Sequence, residues 1–155
     1  MRLLVPAILA AVAVVLAMAL VADQRPGAAA GGEAVLWQQR MNGPSGADQL
    51  ALRLEPDGSI VATLDTDYPA TPRTGTFTAE ERAERARLEA AAPAQDWSSE
   101  REGSEAWTQV TVPRPGGASV FSYASDAASA KPPASVAALA DFYAAVWKRL
   151  MERSG

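Results

Sequence analysis

The sequence predicts an α+β domain. Its two layers are an antiparallel sheet of about five strands and two helices packed on it, preceded by an N-terminal apolar targeting helix. Three observations predict it. Two segments alternate apolar and polar side chains on either side of turn residues, the pattern of half-buried β-hairpins. Two others repeat apolar or small residues at helical spacing behind recognisable start signals. The hairpin turns are too short for crossover connections, so the strands pair antiparallel, and such a sheet buries one face under helices.

The chain opens on its most one-sided segment. Leu3 to Ala22 holds no charge and no strongly polar side chain, with Arg2 before it and Asp23 after it. As a helix it would be about 30 Å long, one hydrocarbon core. Two readings stay open. Length favours a retained transmembrane anchor, because the apolar part of a signal peptide runs about 7–15 residues. The alanine content favours a cleaved signal peptide, and so do the A-x-A forms Ala17-Met18-Ala19 and Ala28-Ala29-Ala30. A buried core helix is disfavoured, since a small domain rarely hides a helix that is apolar all round. Either open reading puts the rest of the protein outside the cytoplasm, secreted or membrane-anchored, with Arg2 staying inside. Asp23 to Glu33, DQRPGAAAGGE, reads as a flexible linker. Residues 34–155 then form a single α+β domain.

Ala34 to Met41 reads as a short strand, with Val35 and Trp37 on one face and Leu36 on the other. Asn42-Gly43-Pro44-Ser45-Gly46 is turn-rich. Leu50, Leu52 and Leu54 alternate with Ala51 and Arg53, and Ile60, Ala62 and Leu64 return with period two. Between them, Pro56 presets φ, Asp57 can hydrogen-bond to the backbone, and Gly58 accepts a positive φ, so the segment is a hairpin. Asp65 to Thr76 reads as a loop or irregular edge. Thr78 and Glu81 form a capping box for a helix that Pro93 stops near Ala92. Its expected face is Ala79, Ala83, Ala86, Leu88 and Ala90, small enough to pack closely on a sheet, with Glu81 and Arg85 paired at i,i+4. Ala94 to Gly103 reads as a polar loop holding Trp97. Trp107–Val112 and Val120–Ala124 make a second hairpin around Pro113-Arg114-Pro115-Gly116-Gly117. Ser135 can cap a last helix, about Val136 to Glu152, with a stripe of Val136, Leu139, Ala140, Tyr143, Val146, Trp147 and Leu150.

Composition narrows the chemistry. The chain has no cysteine and no histidine. A lipobox acyl anchor, a disulfide, thiolate catalysis and a Ser-His-Asp triad are therefore unavailable, as is the commonest general base and metal ligand. Lys131 and Lys148 lack a recognisable serine or threonine partner motif. With 14 basic and 18 acidic side chains the net charge is −4, and nucleic acid is disfavoured as a partner. Asp65-Thr66-Asp67 could hold a calcium ion or act as an acid–base pair, against the plainer reading of a solvated strand end. Glu100, Glu102 and Glu105 could meet a basic partner, against a solvated loop. Trp37, Trp107 and Trp147 fall at core-facing positions. Trp97, in its polar loop, either plugs the open end of the core or serves as an exposed anchor.

Arg40-x-Asn42-Gly43-x-x-Gly46 resembles the Arg-x-Gly-Gly-x-x-Gly turn of emfourin-type proteins, small bacterial inhibitors of thermolysin-like metalloproteases. The Leu50–Leu54 strand follows it as in that family. Gly75-Thr76-Phe77-Thr78-x-x-Glu81 leading to Leu88 resembles the family's helix entry, and Pro132-Pro133 with the last helix also fits. Asn42 stands where the family has glycine, Pro44 stands where an aromatic is usual, and the apolar leader is additional. The resemblance, over Val35 to Met151, implies a protease-inhibitor-like binding module that meets a metalloprotease through shape. The candidate binding residues are Arg40, Asn42, Gly43, Ser45, Gly46 and Trp97. No catalytic residue, metal ligand or cofactor is expected. The alternatives are an accessory or structural protein of the cell envelope, tethered through Leu3–Ala22, and an enzyme built on carboxylates or a Ser/Thr–Lys pair.

Overall fold

The computed structural model describes residues 34–43, 46–68, 70–99, 106–125 and 130–153. The apolar segment 1–22, the linker 23–33, Ser45 and the acidic residues Glu100, Glu102 and Glu105 lie outside them. The described residues belong to one compact unit, Gly31–Gly155. Among them no helix is long and apolar enough to cross a membrane.

The unit is α+β, with one mixed sheet of seven strands and two helices. The strands are β1 (Ala34–Gly43), β2 (Gly46–Leu54), β3 (Ile60–Asp65), β4 (Arg73–Gly75), β5 (Trp97–Ser99), β6 (Trp107–Arg114) and β7 (Gly117–Ala124). The helices are α1 (Ala79–Ala91) and α2 (Ala134–Glu152). Spatial order is β4-β3-β2-β1-β6-β7-β5. The five long strands are those the alternation predicts. The two additions, β4 and β5, have three residues each and occupy the two edges. β5 arises inside a segment read as a loop and β4 inside one read as a loop or irregular edge, since three residues are too few to show a period. β5 runs parallel to β7, so the sheet is mixed instead of purely antiparallel. Short edge strands also offer little template for pairing with another chain.

The β2–β3 hairpin forms as its sequence requires. Gly58 has φ +84, and its N–H donates to the Glu55 carbonyl at 3.0 Å. Asp57 Oδ1 accepts from the Ser59 N–H at 2.9 Å and from its hydroxyl at 2.6 Å. Gly58→Val is expected to lower the unfolding free energy by about 1–3 kcal/mol, because a β-branched side chain is strained at positive φ. Urea titration measures it, and an unchanged midpoint would contradict the strain.

β1 departs from simple alternation. Val35 pairs with Arg53 but Trp37 pairs with Leu52, so the register shifts around Leu36. This bulge turns two consecutive large side chains inward: Leu36 is 0% and Trp37 2% exposed. The expectation that they face opposite ways is therefore overturned. Beyond the bulge, Trp37, Leu50, Leu52, Ile60, Ala62, Val110, Val112 and Phe121 build the inner face.

α2 lies on that face, against β1, β2, β3, β4 and β6. Val136, Leu139, Ala140, Tyr143, Val146 and Leu150 are buried. Trp147 is only half-buried, although it packs against the core and its indole N–H donates to the Thr63 carbonyl at 2.8 Å. Its N-cap is Pro133, and no side chain caps it, so Ser135 does not play that role. α1 differs more. Its capping box is present, with Thr78 Oγ1 accepting from the Glu81 N–H at 3.1 Å and Glu81 Oε2 from the Thr78 N–H at 2.8 Å. Yet Ala79, Ala83, Ala86 and Ala90 are exposed, and within the helix only Leu88 is buried. α1 packs chiefly on α2 instead of the sheet. The contact has a polar part beside Leu88, which a search for an apolar stripe overlooks. Arg149 grips Glu81 with two bonds of 2.7 and 2.8 Å. Glu89 Oε1 accepts from Arg85 Nε and from the Tyr143 hydroxyl, both at 2.7 Å. The Arg85 guanidinium lies 5.2 Å from the centre of the Phe77 ring. These pairs replace the expected Glu81–Arg85 pair.

Candidate functional site

The β1–β2 hairpin projects from the sheet. β3 ends at Asp65, opposite Gln49, and β6 begins at Trp107, opposite Arg40. Three rungs of β1–β2 continue past both: Met41–Asp48, Asn42–Ala47 and Gly43–Gly46. At about 3.4 Å per residue these rungs carry the β1–β2 ladder, the finger, about 10 Å past the ends of β3 and β6. Arg40, Met41, Asn42 and Ala47 are exposed on it, and Met41 is 40% exposed although it is a large apolar residue. Of the candidate residues, the structure gathers Arg40, Asn42, Gly43 and Gly46 here.

Trp97 is not among them. It lies in β5 and not in a loop, three strand spacings from β1, about 14 Å away. Register places it in the inward row with Phe121, Val110 and Trp37. It is half-buried, packs against the core, and lies 6.5 Å from the Tyr123 ring centre at a tilt of 53°. Trp97 thus packs on the core from an edge strand instead of standing in a polar loop.

Arg114 explains how β5 reaches this edge. α1 has no basic residue in its last turn. Arg114 Nη2 supplies the cation from β6, donating to the carbonyls of Ala92 at 2.8 Å and Pro93 at 3.1 Å. The buried Ser119 hydroxyl donates to the Ala94 carbonyl at 2.8 Å. Asp96 Oδ1 accepts from the Val120 N–H at 2.8 Å. These bonds lay residues 92–96 against β6 and β7 and hand the chain to β5. Asp96, Trp97, Ser98, Val120 and Ser122 line a shallow cleft of about 350 Å³ there.

The tryptophan that sequence reasoning misplaced is Trp107. Thr108, Val110 and Val112 point inward and are buried, so Trp107, Gln109 and Thr111 face the side without helices. Among the described residues, Trp37, Trp97 and Trp147 join or pack on the core and Trp107 does not. It stands at the foot of the finger, directly opposite Arg40. The signal was available: counting alternation back from Val110 and Val112 sends residue 107 outward.

Asp65 and Asp67 are exposed, and among the described residues no group of three or more carboxylates could hold a metal ion. Lys148 ion-pairs with Glu152 at 3.7 Å on an exposed helix face, and Lys131 is exposed ahead of α2. The strongest titration shift belongs to Tyr143. Burial holds its hydroxyl neutral well above the usual tyrosine range; Arg85 opposes that shift, and the Glu89 carboxylate adds to it. It is a structural group between two helices. No protein-family model matches the chain, and no curated protein matches it.

Proposed function

We propose that this protein is an extracytoplasmic, non-catalytic binding module that meets a protein partner through the β1–β2 finger. The observation that carries the reading is the projection of three paired rungs bearing exposed Arg40, Met41 and Asn42. Methionine and arginine are enriched at protein interfaces, and a paired hairpin enters a groove with little ordering cost. Trp107 beside Arg40 adds a second residue type typical of binding hot spots. Such a module needs shape and no reactive side chain, in keeping with a chain that has neither histidine nor cysteine. The resemblance of Arg40 to Gly46 to the emfourin turn supplies the partner class, a thermolysin-like metalloprotease.

Titration of several such proteases with the full chain is the test. Inhibition at micromolar protein is expected. The double variant Met41→Asp with Asn42→Trp is expected to weaken it at least about tenfold, or about 1.4 kcal/mol. Its melting temperature should hold, because exposed substitutions cost about 0.5 kcal/mol or less. Absence of inhibition across the panel would discard the protease partner. The reading that then leads is an envelope accessory protein tethered through Leu3–Ala22, favoured by the length of that apolar segment.

A further inference from the structure

The sheet face turned away from the helices carries an unbroken row of uncharged hydrogen-bonding side chains. Following the register inward from the β5 edge, Ser98, Ser122, Gln109 and Gln38 stand side by side on β5, β7, β6 and β1. With strands about 4.8 Å apart, the row is about 14 Å long. Its internal bonds are slack. Ser122 Oγ to Gln109 Oε1 and Gln49 Nε2 to Gln38 Oε1 are both 3.4 Å, longer than the usual range. Such bonds are given up readily to an incoming hydroxyl. The outer end of the row opens into the cleft beside Asp96. Trp107 flanks it on the same face, two residues along β6 from Gln109.

The chemistry selects among ligands. Asp96 is the sole charge lining the cleft among the described residues, and Arg40 stands opposite Trp107 at the other end, so neither sign of ligand charge is favoured along the whole band. A cation would find one carboxylate whose Oδ1 already accepts from the Val120 N–H. Amides and hydroxyls both donate and accept, which matches a ligand whose groups also do both. An aromatic ring beside them can cover an apolar surface of that ligand.

We propose that this band binds a neutral polyhydroxylated chain, an oligosaccharide. Its hydroxyls bond to Gln38, Gln109 and Ser122, one end enters the cleft where Asp96 accepts, and a sugar ring stacks on Trp107. The site shares Trp107 with the foot of the finger but lies apart from Met41 and Asn42, and it does not rest on the protease reading.

The test is calorimetry and tryptophan fluorescence of the full chain with three uncharged probes: cellotetraose, maltotetraose and the N-acetylglucosamine tetramer. At least one is expected to bind saturably. Gln109→Ala with Ser122→Val, both outward-facing, should weaken it at least about tenfold with an unchanged melting temperature. Asp96→Asn, which keeps the acceptor for Val120, should weaken it as well. Met41→Asp with Asn42→Trp should leave it unaltered. The proposal fails if none of the probes binds up to about 10 mM. It fails if binding survives the Gln109/Ser122 variant. It also fails if an arginine-rich peptide occupies the cleft while the sugars do not.

Discussion

Trp37→Ala is expected to cost about 3–5 kcal/mol, the range for removing a large aromatic from a packed core. Trp37 is 2% exposed on the middle strand of seven, beside Leu52 and Val110 in the same row. The bulge at Leu36 aims it inward. A domain of this size has about 5–15 kcal/mol in total, so the variant should be partly unfolded at physiological temperature. Trp107→Ala, on the other face, should cost about 1 kcal/mol or less. Urea titrations of the two variants compare them directly. Equal losses would mean that Trp107 is a core residue and that the assignment of sheet faces is wrong.

Stability should also fall steeply at alkaline pH. Tyr143 is fully buried, and its hydroxyl donates to Glu89. Burial raises its folded-state pKa above the ordinary value of 10.0. The unfolded chain therefore loses this proton first. The contribution is complete below about pH 10 and is lost as pH rises toward the folded value, by about 1.4 kcal/mol per unit. Between pH 10 and 12 this amounts to about 2–3 kcal/mol. Tyr123, which burial also raises, adds in the same direction. Tyr143→Phe should be about 1 kcal/mol less stable than the parent at pH 7, from the lost hydrogen bond. It should become the more stable of the two above about pH 11. Denaturant unfolding at stepped pH reads the crossing, and parallel curves would show that Tyr143 is not insulated from water.

The five long strands and both helices were legible because each repeats a period over enough residues to be seen. Gly58 was legible for another reason: the Pro56-Asp57-Gly58 turn calls for the positive φ it has. The edge strands were not. Trp97–Ser99 is a strand because Arg114, Ser119 and Val120 hold the chain before it, through bonds that span 22 to 25 residues. The seat of α1 was hidden because Glu81 meets Arg149 and Glu89 meets Tyr143 across the two helices, polar groups that a one-dimensional pattern assigns to solvent. The finger was half legible. The glycines of 42–46 announce a turn, but its projection follows from where β3 ends and β6 begins. Trp107 was a misassignment of phase, not a missing signal.

The placement of α2 bears on how this chain is made. The β1–β3 meander and the β6–β7 hairpin each close over a short stretch and can form as soon as they leave the ribosome. The seam between them, β1 with β6, joins residues about seventy positions apart. α2 lies across both sides of that seam, and it is encoded after every strand. Until it is synthesised, the inner face has no lid and its apolar rows stay open to water. Any sheet that assembles before α2 is made leaves those rows uncovered, the state in which a holdase chaperone would find the most to grip.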